Sequence, residues 1–154
     1  MSDLLESTMK DLHDRRVVED LVNRLGACLD GGRFDEMVEL LDQDATARTP
    51  GGEAEGRDAV IAQARRNHRV ENHIQHVITN VVVDLEGDHG RVRANHIAYF
   101  APPGSGDVAP LVAYTLGGIY HLELVRHDDG WRITRIETEP VWSSGSREAV
   151  APPA

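Results

Sequence analysis

Two histidines three residues apart, His73 and His76, lie in the stretch "ENHIQHVITN", and their type and spacing could support chemistry. An imidazole can exchange a proton near neutral pH or bind a metal ion. Side chains alternate between the two faces of a β-strand, so residues three apart point to opposite faces. On a strand this pair cannot hold one metal ion. We expect His73 at the strand entrance and His76 on the face of Ile78, Asn80 and Val82.

The elements that must position His76 can be predicted from the pattern around it. Four runs rich in β-branched and aromatic residues predict strands: "IQHVITNVVVDLE", "GRVRANHIAYFA", "LVAYTLGGIYHLELVR" and "GWRITRIETEPVW". The turn signals "GDHG", "PPGSGDVAP" and "HDDG" separate them. Earlier in the chain, apolar spacing predicts helices over residues 9–29, 33–42 and 57–68. "DATART" is a short strand candidate, and "PGGEAEG" is a turn-rich connection.

Three helices followed by consecutive antiparallel strands predict an α+β fold. We expect a curved antiparallel sheet wrapped around the three helices, which leaves a cone with one open end. Such a cone is suited to a small apolar or aromatic ligand. Residues 1–8 are interpreted as an N-terminal extension, residues 9–142 as the domain and residues 143–154 as a flexible tail.

Composition excludes several classes of partner. The chain of 154 residues is long enough for one domain with its own core. Its net charge of −10 argues against a nucleic acid or an anionic membrane surface, since both require clustered Lys and Arg. One cysteine, Cys28, permits no intramolecular disulfide, and we found no signal-peptide pattern or membrane-spanning apolar run. We therefore expect a cytoplasmic protein.

Four segments in a fixed order resemble a known family: "ACLDGGRFDEMVELLDQDA", "GRDAVIAQ", "QHVITNVVVD" and "DGWRITR". The layout is similar, over residues 9–142, to the SnoaL-like branch of the nuclear transport factor 2-like superfamily. The resemblance implies a cone-shaped, cystatin-like α+β barrel, no cofactor or metal, and a homo-oligomer, either a dimer or a trimer. The superfamily includes polyketide cyclases, isomerases, epoxide hydrolases and members that only bind or scaffold, so the fold alone does not define a reaction.

Within this group the chain most resembles scytalone dehydratase and a dehydrochlorinase. The resemblance implies a His–Asp dyad of His76 and Asp30, in which the histidine is the general base, and it relates His96 to a second dehydratase histidine. Leu29 stands where the dehydratase has a tyrosine that polarises the substrate. For Asp30 the competing interpretation is a polar residue before a Gly-Gly turn. For His76 it is a half-buried histidine bonded to the backbone.

Other polar and aromatic residues are candidates for an acid or for substrate binding. His96 shares a strand face with Phe100, which would be an apolar pocket wall, and His121 shares a face with Ile119. Either histidine could protonate a leaving hydroxyl or bind a substrate oxygen. The remaining substrate-binding candidates are Asn80, Tyr99 and Tyr114. The histidines and tyrosines can equally be ordinary polar residues on a sheet face, and Asn80, in "TN", can equally be part of a strand bulge.

Three functional hypotheses follow. The first is a cofactor-independent lyase or isomerase that acts on a small, largely apolar, oxygenated substrate. The second is a polyketide or terpenoid cyclase or hydrolase on the same fold. The third is a non-catalytic module for ligand binding or assembly. A metal site formed by His76, His96 and His121, with Asp30 nearby, is a weaker alternative because nothing in the spacing requires it.

Overall fold

The computed structural model of the protein describes residues 1–104 and 107–152. Within these ranges the helices are α1 (Ser2–Gly31), a first 3-10 helix (Phe34–Glu39), α2 (Arg57–Asn67) and a second 3-10 helix (Arg147–Val150). The strands are β1 (Leu41–Thr49), β2 (Gly52–Glu55), β3 (His73–Glu86), β4 (His89–Ala101), β5 (Tyr114–His127) and β6 (Gly130–Gly145). All four predicted long strands and all three predicted helices are present, the second of them as a 3-10 helix.

The strands form one curved, unclosed sheet in the order β2-β1-β6-β5-β4-β3. Neighbours pair antiparallel except β1 and β6, which are parallel. The predicted α+β class and the curved sheet packed with helices are confirmed. Since β3 lies at one edge of the sheet, one side of its backbone has no strand partner within residues 1–104 and 107–152.

The long helix α1 carries its buried residues only in its second half. Val18, Val22, Leu25 and Leu29 recur at helical spacing and are buried against the sheet. Gly32, with φ of 65°, ends the helix in the left-handed conformation that glycine adopts without strain. This ending places the last turn of α1 beside the start of β3.

The core lies between the helices and the concave face of the sheet. Its largest fully buried side chains are Phe34, Leu25, Met37, Leu41, Leu122, Leu124 and Ile133. Burial of a side chain of this size contributes roughly 1.5–3 kcal/mol. The first 3-10 helix supplies Phe34 and Met37, so it closes the core beneath α2 although it is only six residues long. The core fixes the helices against the strands that carry the candidate site.

Some predicted boundaries are a few residues off: β1 begins at Leu41, inside the predicted second helix, and β5 begins at Tyr114. Larger differences occur at three places. The connection "PGGEAEG" contains β2, which pairs with β1 from Thr46↔Glu55 to Thr49↔Gly52. Helix α1 begins at Ser2, within the predicted N-terminal extension. In the predicted tail, residues 143–145 continue β6 against β5, and Val150 is buried. Residues 105–106 of the predicted turn and residues 153–154 of the predicted tail lie outside the described residues.

None of the helices within residues 1–104 and 107–152 combines the length and the apolar character needed to cross a bilayer.

Candidate active site

The side chains of Asp30 and His76 are in direct contact. The His76 ring nitrogen Nδ1 lies 2.6 Å from Asp30 Oδ1. The backbone N–H of His76 also donates to the same carboxylate, at 2.9 Å to Oδ1 and 3.0 Å to Oδ2. The side chain of His76 is 2% exposed and that of Asp30 is 27% exposed. One carboxylate therefore holds both the backbone and the imidazole of a largely buried histidine.

The position of β3 at the sheet edge explains this arrangement. On an edge strand every second backbone N–H points away from the sheet and needs a partner other than a strand. His76 pairs with Ala98 of β4 on its inner side, and its N–H points outward to the end of α1. Asp30, two residues before Gly32, provides the acceptor. The helix end thus replaces a missing strand and also orients the ring.

A cavity of about 220 Å³ opens beside His76. Residues from α2, from the β1–β2 turn, from β3 to β6 and from the second 3-10 helix line it. Its aromatic and imidazole side chains are His68, His76, His96, Phe100, Tyr114 and Tyr120. Apolar walls with a few convergent polar groups are typical of small-molecule sites.

Three histidines meet in this cavity. The ring centroids of His68 and His76 are 5.3 Å apart, and those of His76 and His96 are 6.4 Å apart. His96 stacks on Tyr120 at 4.2 Å with an interplanar angle of 13°. His96 is 3% exposed, and neither of its ring nitrogens has a hydrogen-bond partner among the described residues. Both nitrogens are buried as well, so a ligand oxygen that reached either one would meet an unsatisfied polar atom.

Burial keeps two of the imidazoles neutral. The pKa of His96 is lowered from 6.5 to about 4, first by burial and then by the charge of His76. The pKa of His68 is lowered to about 4 for the same reasons. Burial raises the pKa of the Tyr120 hydroxyl, and the nearby Asp30 charge adds to this effect. At neutral pH the cavity thus contains neutral His68 and His96 and a protonated Tyr120.

Hydrogen-bond partners fix the tautomers of His68 and His76. Nδ1 of His68 lies 2.9 Å from the carbonyl oxygen of Ala64, which can only accept. Nδ1 of His68 therefore carries its hydrogen, and Nε2 is left as an acceptor. The same reasoning applies to His76, because the Asp30 carboxylate accepts from its Nδ1. In the neutral form of each ring, Nε2 is therefore the nitrogen without a hydrogen.

Five of the eight residues predicted from the sequence belong to this region. His76, His96, Phe100 and Tyr114 line the cavity. Asp30 lies behind His76 and reaches the cavity only through it. These residues lie on α1, β3, β4 and β5.

The other three predicted residues lie away from the cavity. Asn80 is exposed, with φ of 54°, at a bulge between Thr79 and Val82 that breaks the alternation of faces. Tyr99 lies on the face of β4 opposite to Phe100. His121 points to the outer face, where its side chain is 44% exposed and its Nε2 lies 2.8 Å from Glu139 Oε2.

The three-histidine metal site considered above is not assembled. His121 lies on the opposite face of the sheet from His76 and His96. Within the described ranges, no group of three or more His, Cys, Asp or Glu side chains is placed to hold a metal ion.

Two residues of the cavity, His68 and Tyr120, were not among the predicted site residues. His68 is the residue after α2, where an imidazole commonly caps a helix end, and only the packing of α2 against the sheet brings it near His76. Tyr120 could have been found by register, because it is an even number of residues from Tyr114 and shares its face.

Comparisons with known proteins agree with this architecture. The sequence profile of the SnoaL-like domain matches residues 10–137. An NTF2-like protein with a cystatin-like fold from Novosphingobium aromaticivorans is 25% identical, with a TM-score of 0.74, and the match covers 94% of this chain and 92% of that chain. A search of curated proteins found no match to the sequence.

Two further solved structures share the fold at lower identity. A candidate scytalone dehydratase from Novosphingobium aromaticivorans is 21% identical, with a TM-score of 0.76 and coverage of 95% of this chain and 96% of that chain. A hexachlorocyclohexane dehydrochlorinase from Novosphingobium barchaimii is 15% identical, with a TM-score of 0.73 and coverage of 96% and 99%. With the profile covering most of the sequence, the chain belongs to the SnoaL-like domain family.

Proposed function

We propose that the protein is a cofactor-independent lyase in which His76 removes a proton from a small, largely apolar, oxygenated substrate. The observation that carries this proposal is the 2.6 Å contact between His76 Nδ1 and Asp30 at the wall of the cavity. With Nδ1–H donated to the carboxylate, Nε2 is available as the base. The carboxylate then stabilises the imidazolium that forms. A positioned base of this kind typically contributes about 10²–10⁴-fold in rate.

For a dehydration the reaction balances within the site. Nε2 of His76 takes the proton of a substrate C–H bond, and the electron pair of that bond forms the new C=C bond. The C–O bond on the adjacent carbon breaks, and its oxygen leaves with the bonding pair. The imidazolium of His76 returns its proton to the leaving oxygen, so the products are an alkene and water. No oxidant, reductant or cofactor is required.

His96 is suited to assist the leaving group without a charge of its own. Because its pKa is about 4, His96 is neutral at pH 7 and can donate only a hydrogen bond from one ring nitrogen. Both nitrogens are buried and lack partners among the described residues, so a substrate oxygen that reached one of them would satisfy it. The protonated hydroxyl of Tyr120, stacked beside it, is a second donor.

The relatives support an elimination rather than another reaction of this fold. The names of a candidate scytalone dehydratase and a hexachlorocyclohexane dehydrochlorinase denote the loss of water and of hydrogen chloride. Both reactions need a base for a C–H proton and a departing group on the next carbon. The Asp30–His76 pair supplies such a base.

The test is a screen of hydroxylated aromatics and terpenoids in deuterated water, followed by NMR. A base that removes a C–H proton either produces the alkene or exchanges the substrate hydrogen for deuterium. We expect His76→Ala to abolish both signals and Asp30→Asn to reduce them by about 10²-fold or more. His73→Ala removes an exposed imidazole at the entrance of β3 and is the matched control, with activity unchanged.

Two outcomes would contradict the proposal. If His76→Ala turned over as fast as the wild type, another group would be the base. If ligands bound in the cavity with neither elimination nor exchange, the protein would be a binding module on the same fold.

A further inference from the structure

The charge around the cavity is opposite to that of the molecule. The chain has 26 acidic and 16 basic residues, a net charge of −10. Among the described residues, the cavity lining contains Arg66, Arg69 and Arg147 but no aspartate or glutamate. A field of one sign at a cleft raises the local concentration of oppositely charged ligands. A positive entrance on an acidic protein therefore favours anions selectively.

Two of these arginines are available to a ligand. In the described part of the chain, neither Arg66 nor Arg147 has a hydrogen-bond or ion-pair partner, whereas most arginines there are paired with a carboxylate. Arg69 has partners, since it donates to the Ala151 carbonyl at 3.3 Å and lies 3.6 Å from Glu71. Arg66 belongs to the last turn of α2 and Arg147 to the second 3-10 helix, so two independent elements bring them to one cavity.

The interior of the cavity carries less charge and is more apolar than its arginine-lined entrance. Ala98, Phe100 and Leu116 form apolar walls. The polar side chains that line the cavity include two tyrosines and the neutral imidazoles of His68 and His96. A volume of about 220 Å³ is below the roughly 300–1,000 Å³ of pockets for drug-sized ligands. A ligand that fits is a single ring or a short chain, with its apolar body inside and its charged end at the arginines.

We propose that the substrate is a small organic carboxylate whose acid group is bound by Arg66 and Arg147 at the cavity mouth. The guanidinium group matches the planar geometry of a carboxylate with two parallel hydrogen bonds. This proposal rests on the proposed function only in calling the ligand a substrate. The binding site for the anion stands on the arginines themselves.

Binding of matched probes by isothermal titration calorimetry tests the inference. The probes are 3-phenylpropanoate, its neutral amide and 2-phenylethyl phosphate, which share the same 2-phenylethyl body. We expect the carboxylate to bind about tenfold or more tightly than the amide, with the preference falling as salt is raised. A phosphate that bound more tightly than the carboxylate would show that the mouth selects a different anion, and would overturn the assignment.

Variants that remove the charge of single arginines test which residues cause the preference for the carboxylate. Arg66→Gln and Arg147→Gln should each weaken 3-phenylpropanoate binding by about 3–10-fold, and the double variant should remove the preference over the amide. Arg132→Gln removes the same charge from a residue paired with Asp129 at the β5–β6 turn, and binding should not change. If the double variant kept the preference, or if 3-phenylpropanoate showed no measurable binding, the inference would be wrong.

One further variant separates this inference from the proposed function. His76→Ala should still prefer the carboxylate over the amide, because the arginines are intact, while elimination and deuterium exchange disappear. If the wild type prefers carboxylates but never exchanges a proton, the lyase proposal fails and the anion site stands. If only neutral substrates exchange their hydrogen for deuterium, and this exchange requires His76, the proposed anion site is wrong and the proposed role of His76 as the base is retained.

Discussion

The neutral, unpartnered imidazole of His96 makes the stability of the fold sensitive to mild acid. His96 is 3% exposed, is stacked on Tyr120 and is close to His76, and its ring nitrogens have no partners among the described residues. Its pKa is about 4 in the folded protein against an ordinary value of 6.5. As the pH falls below 6.5, the unfolded chain takes up a proton at this position that the folded chain does not. Stability is therefore fully present above 6.5 and is lost as the pH approaches 4.

The size of the effect follows from the two pKa values. For 6.5 unfolded and about 4 folded, the free energy of unfolding falls by about 2 kcal/mol between pH 7 and pH 5 from His96 alone. His68, whose pKa is also about 4, adds a loss of the same sign. His96→Phe retains the stacking on Tyr120, removes the titrating group and leaves the contribution of His68. Between pH 7 and pH 5, the free energy of unfolding of this variant should therefore fall by about 2 kcal/mol less than that of the wild type.

Urea unfolding followed by circular dichroism at pH 7 and pH 5 measures these differences. His73→Gln removes an exposed imidazole from the same sheet and should show the pH dependence of the wild type. His96→Phe should also be the more stable protein at pH 7, because it no longer buries unpaired polar atoms, which cost about 1–3 kcal/mol. If the free energy of unfolding fell equally from pH 7 to pH 5 in the wild type and in His96→Phe, the assignment of a neutral, desolvated His96 would be refuted.

Three further substitutions test the packing around the site by urea unfolding. Asp30→Asn should lower the free energy of unfolding by about 1–3 kcal/mol, because the amide cannot accept every hydrogen bond that the carboxylate accepts from His76. Gly118→Ala should destabilise the protein, since the new Cβ would lie 2.7 Å from His96 Nε2, and a ligand screen should show weakened binding as well. Phe34→Ala, at a residue 1% exposed, should cost about 3–5 kcal/mol.

Most of the fold could be predicted from local pattern. The strands β3 to β6 are long, rich in β-branched residues and bounded by strong turn signals, so their existence did not depend on partners. Helix α1 was predicted over residues 9–29, because the apolar spacing from Val18 to Leu29 marks its buried face. Its start at Ser2 was not predicted, because its first turns bury no residue. The continuation of β6 to Gly145 depends on pairing with Tyr114 at the start of β5, which no local signal reveals.

In the candidate site too, some residues could be predicted from the local pattern, and others depend on irregular or tertiary structure. His76, His96, Phe100 and Tyr114 follow strand alternation along regular stretches of β3 to β5, so the face of each was predictable. Asn80 was misplaced because a bulge with a positive φ interrupts the alternation after Thr79. His68 was missed because its position depends on the angle at which α2 packs, and this is a property of the tertiary fold.

The carboxylate at the end of α1 has a second consequence, for the solubility of the protein. An outer strand with free backbone donors can recruit a strand from another molecule, which is a common route to aggregation. Asp30 occupies one such donor on β3 and places a negative charge on that rim. A substitution that removes the acceptor at this position also leaves the His76 N–H without its partner and open to pairing between chains. Under the proposed function, turnover and resistance to aggregation would therefore depend on the same side chain.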